Sequence, residues 1–154
     1  IECVFICQVD KSFVANVNDL FHAQQLMIYD PVPEACEGFV RDMADVVQGE
    51  IVIAKEPKET ADCDALISVT NANNEFIKGD WLGPGSIYLA LGSYGECDDA
   101  AILNADYIIA DHIEQCLHRG NLKKLAMQGQ IAADSIYCTV GELAAGRCTV
   151  GVPG

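Results

Sequence analysis

Positive charge is scarce in this chain. Nine Lys and Arg stand against 23 Asp and Glu, for a formal net charge of −14 and a pI of about 4.3. Such a surface repels a phosphate backbone and an anionic bilayer, which argues against nucleic-acid and membrane partners. Long apolar runs are missing too. Stretches such as EIVIA and YIIAD are short and end in charge, far below the roughly 18–20 residues a spanning helix needs. The eight cysteines form no Cys-x-x-Cys, and no zinc spacing occurs. His112 and His118 are six residues apart and do not share a helix face, so no metal site is expected. Walker A, G-x-S-x-G and Cys–His nucleophile patterns are absent as well. Glycine is missing where it would be most telling, in the first strand–helix junction, CVFICQVDKSFVANV (residues 3–17).

What remains is rich in core. Hydrophobic residues make up 51 % of the 154, enough for one domain with a full interior. Apolar strand-like runs alternate with helical periodicity. Strands are expected at 3–8, 25–29, 50–56, 65–70, 86–92 and 106–111. Helices are expected at 12–23, 33–47, 98–104, 112–128 (interrupted at Gly120) and from about Thr139. Near-continuous apolar strands alternating with helices imply a parallel sheet buried on both faces. Right-handed crossovers make it an α/β, doubly wound, mostly parallel Rossmann-like sheet of about six strands with helices on both faces. The chain starts on Ile1, inside a strand pattern, and is read as a single domain over 1–154 excised from a larger two-domain protein. Cysteines within apolar runs behave as small buried hydrophobes, and reduced thiols point to a cytoplasmic setting.

In a doubly wound sheet, ligands lie outside the carboxyl ends of the strands. The residues there are Val9, Asp10, Lys11 and Ser12 after the first strand and Asp30 after the second. Thr70 and Asn71 follow the fourth; Leu91, Gly92 and Ser93 close the fifth. Asp30 is the most informative. A carboxylate at the end of strand two can accept both ribose hydroxyls of an adenosine and would repel a 2′-phosphate, which favours NAD over NADP. The bland alternative is an Asp-Pro turn. In the first turn, a G-x-G-x-x-G pattern would place glycine where Cys7, Val9 and Ser12 stand. Side chains at Cys7 and Val9 obstruct a pyrophosphate, Ser12 can cap the helix, and Lys11 offsets Asp10.

Several segments carry a resemblance: 61–70 (ADCDALISVT), WLGPG at 81–85, Leu91–Gly92 by position, ECD at 96–98, DYIIAD at 106–111 and VGELAAG at 140–146. Together with IYDPVPEACEGF near the start, they resemble the ornithine cyclodeaminase/mu-crystallin family in order and spacing over nearly the whole chain. The resemblance implies a Rossmann-type NAD-binding domain beside a separate substrate and dimerisation domain, which makes the parent protein a homodimer. It also implies hydride exchange at an amino-acid α-carbon through an imine, as in ornithine cyclodeaminase, alanine dehydrogenase and imine reductases. On this resemblance Asp30 is the ribose-binding acid, Thr70 lies beside the cofactor, and Leu91, Gly92 and Ser93 flank the nicotinamide. The family's catalytic aspartate corresponds to Tyr94 here, so no catalytic residue is nominated. Two readings follow: an NAD-binding domain of such an enzyme, or a cofactor-less Rossmann-like interaction or regulatory module.

Overall fold

Five short apolar runs pair side by side in a computed structural model that describes residues 3–7, 24–60 and 63–151. They are β1 (Cys3–Cys7), β2 (Gln25–Tyr29), β3 (Glu50–Ile53), β4 (Ala65–Ser68) and β5 (Ile87–Ala90). All pair in parallel, in the order β3-β2-β1-β4-β5. The chain winds outward from β1 through β2 to β3, then crosses back to place β4 and β5 on the other side of β1. This is doubly wound topology, with its switch point between β1 and β4. It matches the fold class expected from the sequence.

The chain divides into two compact units, Ile1–Thr70 with Trp81–Leu91, and Asn71–Asp80 with Gly92–Gly154. In the first, helix α1 (Pro33–Met43) begins with proline at its first turn and carries Glu34 near its start and Arg41 near its end, each suited to the helix dipole. Its Cys36, Phe39 and Met43 recur at helical spacing. They bury against Leu26 and Ile28 of β2 and Ala65 and Ile67 of β4. Phe39 and Ile28 are at most 1 % exposed, and full burial of such a side chain contributes roughly 1.5–3 kcal/mol. Strand β4 is buried along its whole length. On its opposite face the Ser68 hydroxyl meets the Tyr88 hydroxyl at 2.9 Å. The connection into β5 is a Gly83-Pro84-Gly85-Ser86 turn closed by Ser86 N–H to Gly83 O at 3.1 Å. Gly85 has φ +81°, which proline before it and glycine at that position make a type II turn.

The second unit holds α2 (Asp99–Leu103), β6 (Ile109–Ala110), α3 (Ile113–His118), α4 (Lys123–Met127), β7 (Cys138–Thr139) and α5 (Val140–Ala144). The segment expected as a sixth strand contributes only two residues, and these pair with β7 in a separate parallel sheet. The long helical stretch after it breaks at Gly120, as its sequence implied. Gly120 has φ +69° and opens a short 3₁₀ turn before α4. Ile77, Leu125, Ile131 and Ile136 are among the buried side chains here. Among the described residues, no helix is long and apolar enough to cross a membrane.

Candidate functional site

Because all five strands run the same way, their carboxyl ends share one rim. Register places Tyr29, Cys7, Ser68 and Ala90 in one row across β2, β1, β4 and β5. Asp30, Val69 and Leu91 each lie one residue past that row. Asp30 and Leu91 are three strand spacings apart, roughly 14 Å. Asp30 is half-buried, and its Oδ1 accepts from Val32 N–H at 2.8 Å. That is an Asx turn leading through Pro31 into α1. Oδ2 has no hydrogen bond among the described residues. Asp30 also bears on Cys36: burial is the main cause that pushes the Cys36 thiol up, the Asp30 backbone opposes it, and the Asp30 charge adds to it. Thr70 is buried at 8 % exposure, whereas Leu91 is 47 % exposed. Val9, Asp10, Lys11 and Ser12 lie outside the described residues, as does the helix expected over 12–23.

Asn71, Gly92 and Ser93 belong to the second unit. There Gly92 is held by a residue not nominated from sequence. The Gly92 N–H donates to Glu96 Oε2 at 3.2 Å, and a Cβ on Gly92 would collide with the Glu96 carboxyl group. Glu96 is fully buried. The backbone of the Glu96–Cys97 pair is fixed by Asn121, whose Oδ1 accepts from both amides, at 2.6 and 3.0 Å. Asp98 follows as the N-cap of α2, accepting from Ala101 N–H at 3.1 Å and from Gly79 N–H at 2.9 Å. Ser93 accepts from Arg119 Nη2 at 2.8 Å.

With the sheet order and its rim in place, the comparison with known proteins is decisive. Residues 9–150 match the Ornithine cyclodeaminase/mu-crystallin family. The chain belongs to the ornithine cyclodeaminase/mu-crystallin family. It is 27 % identical over 130 residues to the alanine dehydrogenase of Archaeoglobus fulgidus, covering 82 % of this chain and 40 % of that one. In structure it resembles Thermococcus litoralis Δ1-pyrroline-2-carboxylate reductase in complex with NADH and L-proline. The TM-score is 0.85 at 21 % identity, over 95 % of this chain and 48 % of that one. It also resembles the iminosuccinate reductase of Paracoccus denitrificans in complex with NAD+, with TM-score 0.84 at 16 % identity over 96 % and 47 % of the two chains. The chain thus spans less than half the length of these proteins.

Within this ornithine cyclodeaminase/mu-crystallin chain, the ECD segment that carried part of the resemblance has a structural job: its acid sits under Gly92 and its aspartate caps α2. Sequence marked these residues as a motif without indicating that role. It missed Asn121, Arg119 and Lys123 altogether. The signal for the last two was present: HRGNLKK, residues 118–124, holds three of the nine Lys and Arg of an acidic chain. In the same unit, Lys124 meets Glu75 Oε1 at 2.7 Å and Asp99 Oδ1 at 2.9 Å. These hydrogen bonds push its ammonium above the usual lysine range. The Cys138 thiol is pushed up to about 11, first by its hydrogen bond with Cys148 and then by burial. Among the described residues, no group of three His, Cys, Asp or Glu could hold a metal ion.

Proposed function

We propose that this chain is the NAD-binding domain of a larger ornithine cyclodeaminase/mu-crystallin protein that exchanges hydride at the α-carbon of an amino acid or imine. The observation that carries this reading is the parallel order β3-β2-β1-β4-β5 with Asp30 directly past β2. That puts a carboxylate one strand away from β1, whose other neighbour, β4, bounds the switch point where such sheets receive dinucleotides. The residues fit the group: Asp30 keeps Oδ2 for ribose hydroxyls, and Thr70 and Leu91 line the same rim. Relatives of this fold are solved with NADH and NAD+.

When bound, the cofactor supplies the hydride acceptor and donor. This chain's own residues bind and orient it. A carboxylate at Asp30 accepts from the 2′- and 3′-hydroxyls and repels a 2′-phosphate, which selects NAD over NADP. On the sequence reading, Val9, Asp10, Lys11 and Ser12, outside the described residues, are the stretch that would meet the pyrophosphate, and Lys11 is the one cation among them. Substrate selection, and the homodimer contact, belong to a second domain outside this chain, and the whole acts in the cytoplasm as one Rossmann-like domain inserted in that larger protein.

Thermal unfolding with added NAD tests the binding step. Saturation at about 100 Kd stabilises the folded state by about 2.7 kcal/mol, and Asp30→Ala removes most of that shift. An unshifted transition at millimolar NAD overturns the proposal for this chain. That outcome favours the second reading, a cofactor-less interaction module, which the side chains at Cys7 and Val9 support because they stand where glycines would admit a pyrophosphate.

A further inference from the structure

A cavity of about 450 Å³ in the second unit is lined by Asn73, Ser93, Tyr94, His118, Arg119 and Lys123, with two glycines completing the wall. Among the described residues no Asp or Glu lines it, and the acids of the adjoining cavity, Glu75 and Asp99, are both engaged by Lys124. In a chain with 23 acidic residues and nine Lys and Arg, a polar cavity that gathers two cations and a histidine without one carboxylate is a marked local reversal of charge.

The cations are also uncommitted. Lys124, next in sequence, is taken by Glu75 and Asp99, but Lys123 has no hydrogen bond or ion pair among the described residues. Arg119 spends one nitrogen on the neutral Ser93 hydroxyl. That bond orients the guanidinium and leaves its charge uncancelled, and a guanidinium presents several donors in a rigid fork suited to carboxylate or phosphate. The His118 Nδ1 lies 2.7 Å from the Glu114 carbonyl oxygen. A carbonyl can only accept, so the Nδ1 proton is engaged there and Nε2 remains for another partner.

We propose that this cavity binds a compact anionic ligand through its carboxylate or phosphate oxygens. Arg119 and Lys123 supply charge-assisted hydrogen bonds, and Ser93 holds the guanidinium in place. The site requires neither Asp30 nor the rim of the parallel sheet, and it shares only Ser93 with the residues the resemblance sets beside the nicotinamide.

Isothermal titration of this chain with succinate, and separately with inorganic phosphate, tests it. Saturable binding of at least one anion is expected, weakened at least about tenfold in Arg119→Gln/Lys123→Gln, the loss expected when charged hydrogen bonds are removed. The tighter of the two probes identifies the oxyanion class. Arg41→Gln/Lys58→Gln removes the same charge from exposed positions outside the cavity and should leave the affinity unchanged. Absence of saturable binding by both probes overturns the site. So does retained affinity in the Arg119/Lys123 variant, or an equal loss in the Arg41/Lys58 variant, which would reduce the effect to net charge. Circular dichroism of both variants confirms that they stay folded. Because NAD is absent throughout, failure here is separable from failure of the nucleotide reading.

Discussion

Gly92 shows how a single position can hold two kinds of information. From sequence it ends a strand beside a nucleotide rim. In the structure its missing side chain makes room for the fully buried Glu96, and its amide ties that carboxylate down. Gly92→Ala should therefore lower stability by about 1–3 kcal/mol, the usual cost of overpacking a well-filled interior. Chemical denaturation measures it; an unchanged midpoint would show that Glu96 moves aside without cost. Asp30 is the opposite case. One oxygen makes the Asp-Pro turn read from the sequence, and the ribose role rests on the proposal above. Nothing in the linear spacing announces that Asn121 clamps the Glu96 and Cys97 amides from 25 and 24 residues away.

At the scale of elements, local chemistry was legible wherever it was local. The capping box at α5 spans four residues: Thr139 Oγ1 accepts from Glu142 N–H at 3.2 Å, and Glu142 Oε2 accepts from Thr139 N–H at 2.9 Å. Thr139→Ala should cost about 1 kcal/mol, with Ser restoring it. These bonds, the backbone one first, hold the Glu142 carboxyl below its usual 4.5. A depressed carboxylate contributes stability that is present above the unfolded value and lost as pH falls through the folded one. The gap in melting temperature between wild type and Thr139→Ala should therefore be full at pH 7 and narrow below about 4.5. A gap independent of pH would deny a part to the Thr139 hydroxyl, which donates to Glu142 Oε2 at 2.9 Å. The start of α1 at Pro33, the break at Gly120 and the turn at Gly85 were equally readable, because proline and glycine act on their own φ. The sixth strand was less so: DYIIAD has the composition of a strand, but only two of its residues find a partner.

Across the whole molecule, the two compact units each bury their own apolar residues. Leu125 is fully buried in the second. Leu125→Ala should cost about 2–5 kcal/mol through lost contacts and a residual cavity. Amide hydrogen exchange is expected to show the loss of protection centred on residues 92–151, with the strands of the five-stranded sheet affected less. Uniform loss over both units would mean that they open only as one cooperative body. The sequence by itself determined the alternation of strands and helices, the acid past β2, the turns and caps, and the family, since each depends on residue type and short spacing. Only the tertiary structure decided which strands share a sheet, that Glu96 fills the space under Gly92, and that Ser93, Arg119 and Lys123 line one cavity. Those facts depend on contacts between residues far apart in the chain, which hydrophobic periodicity does not encode.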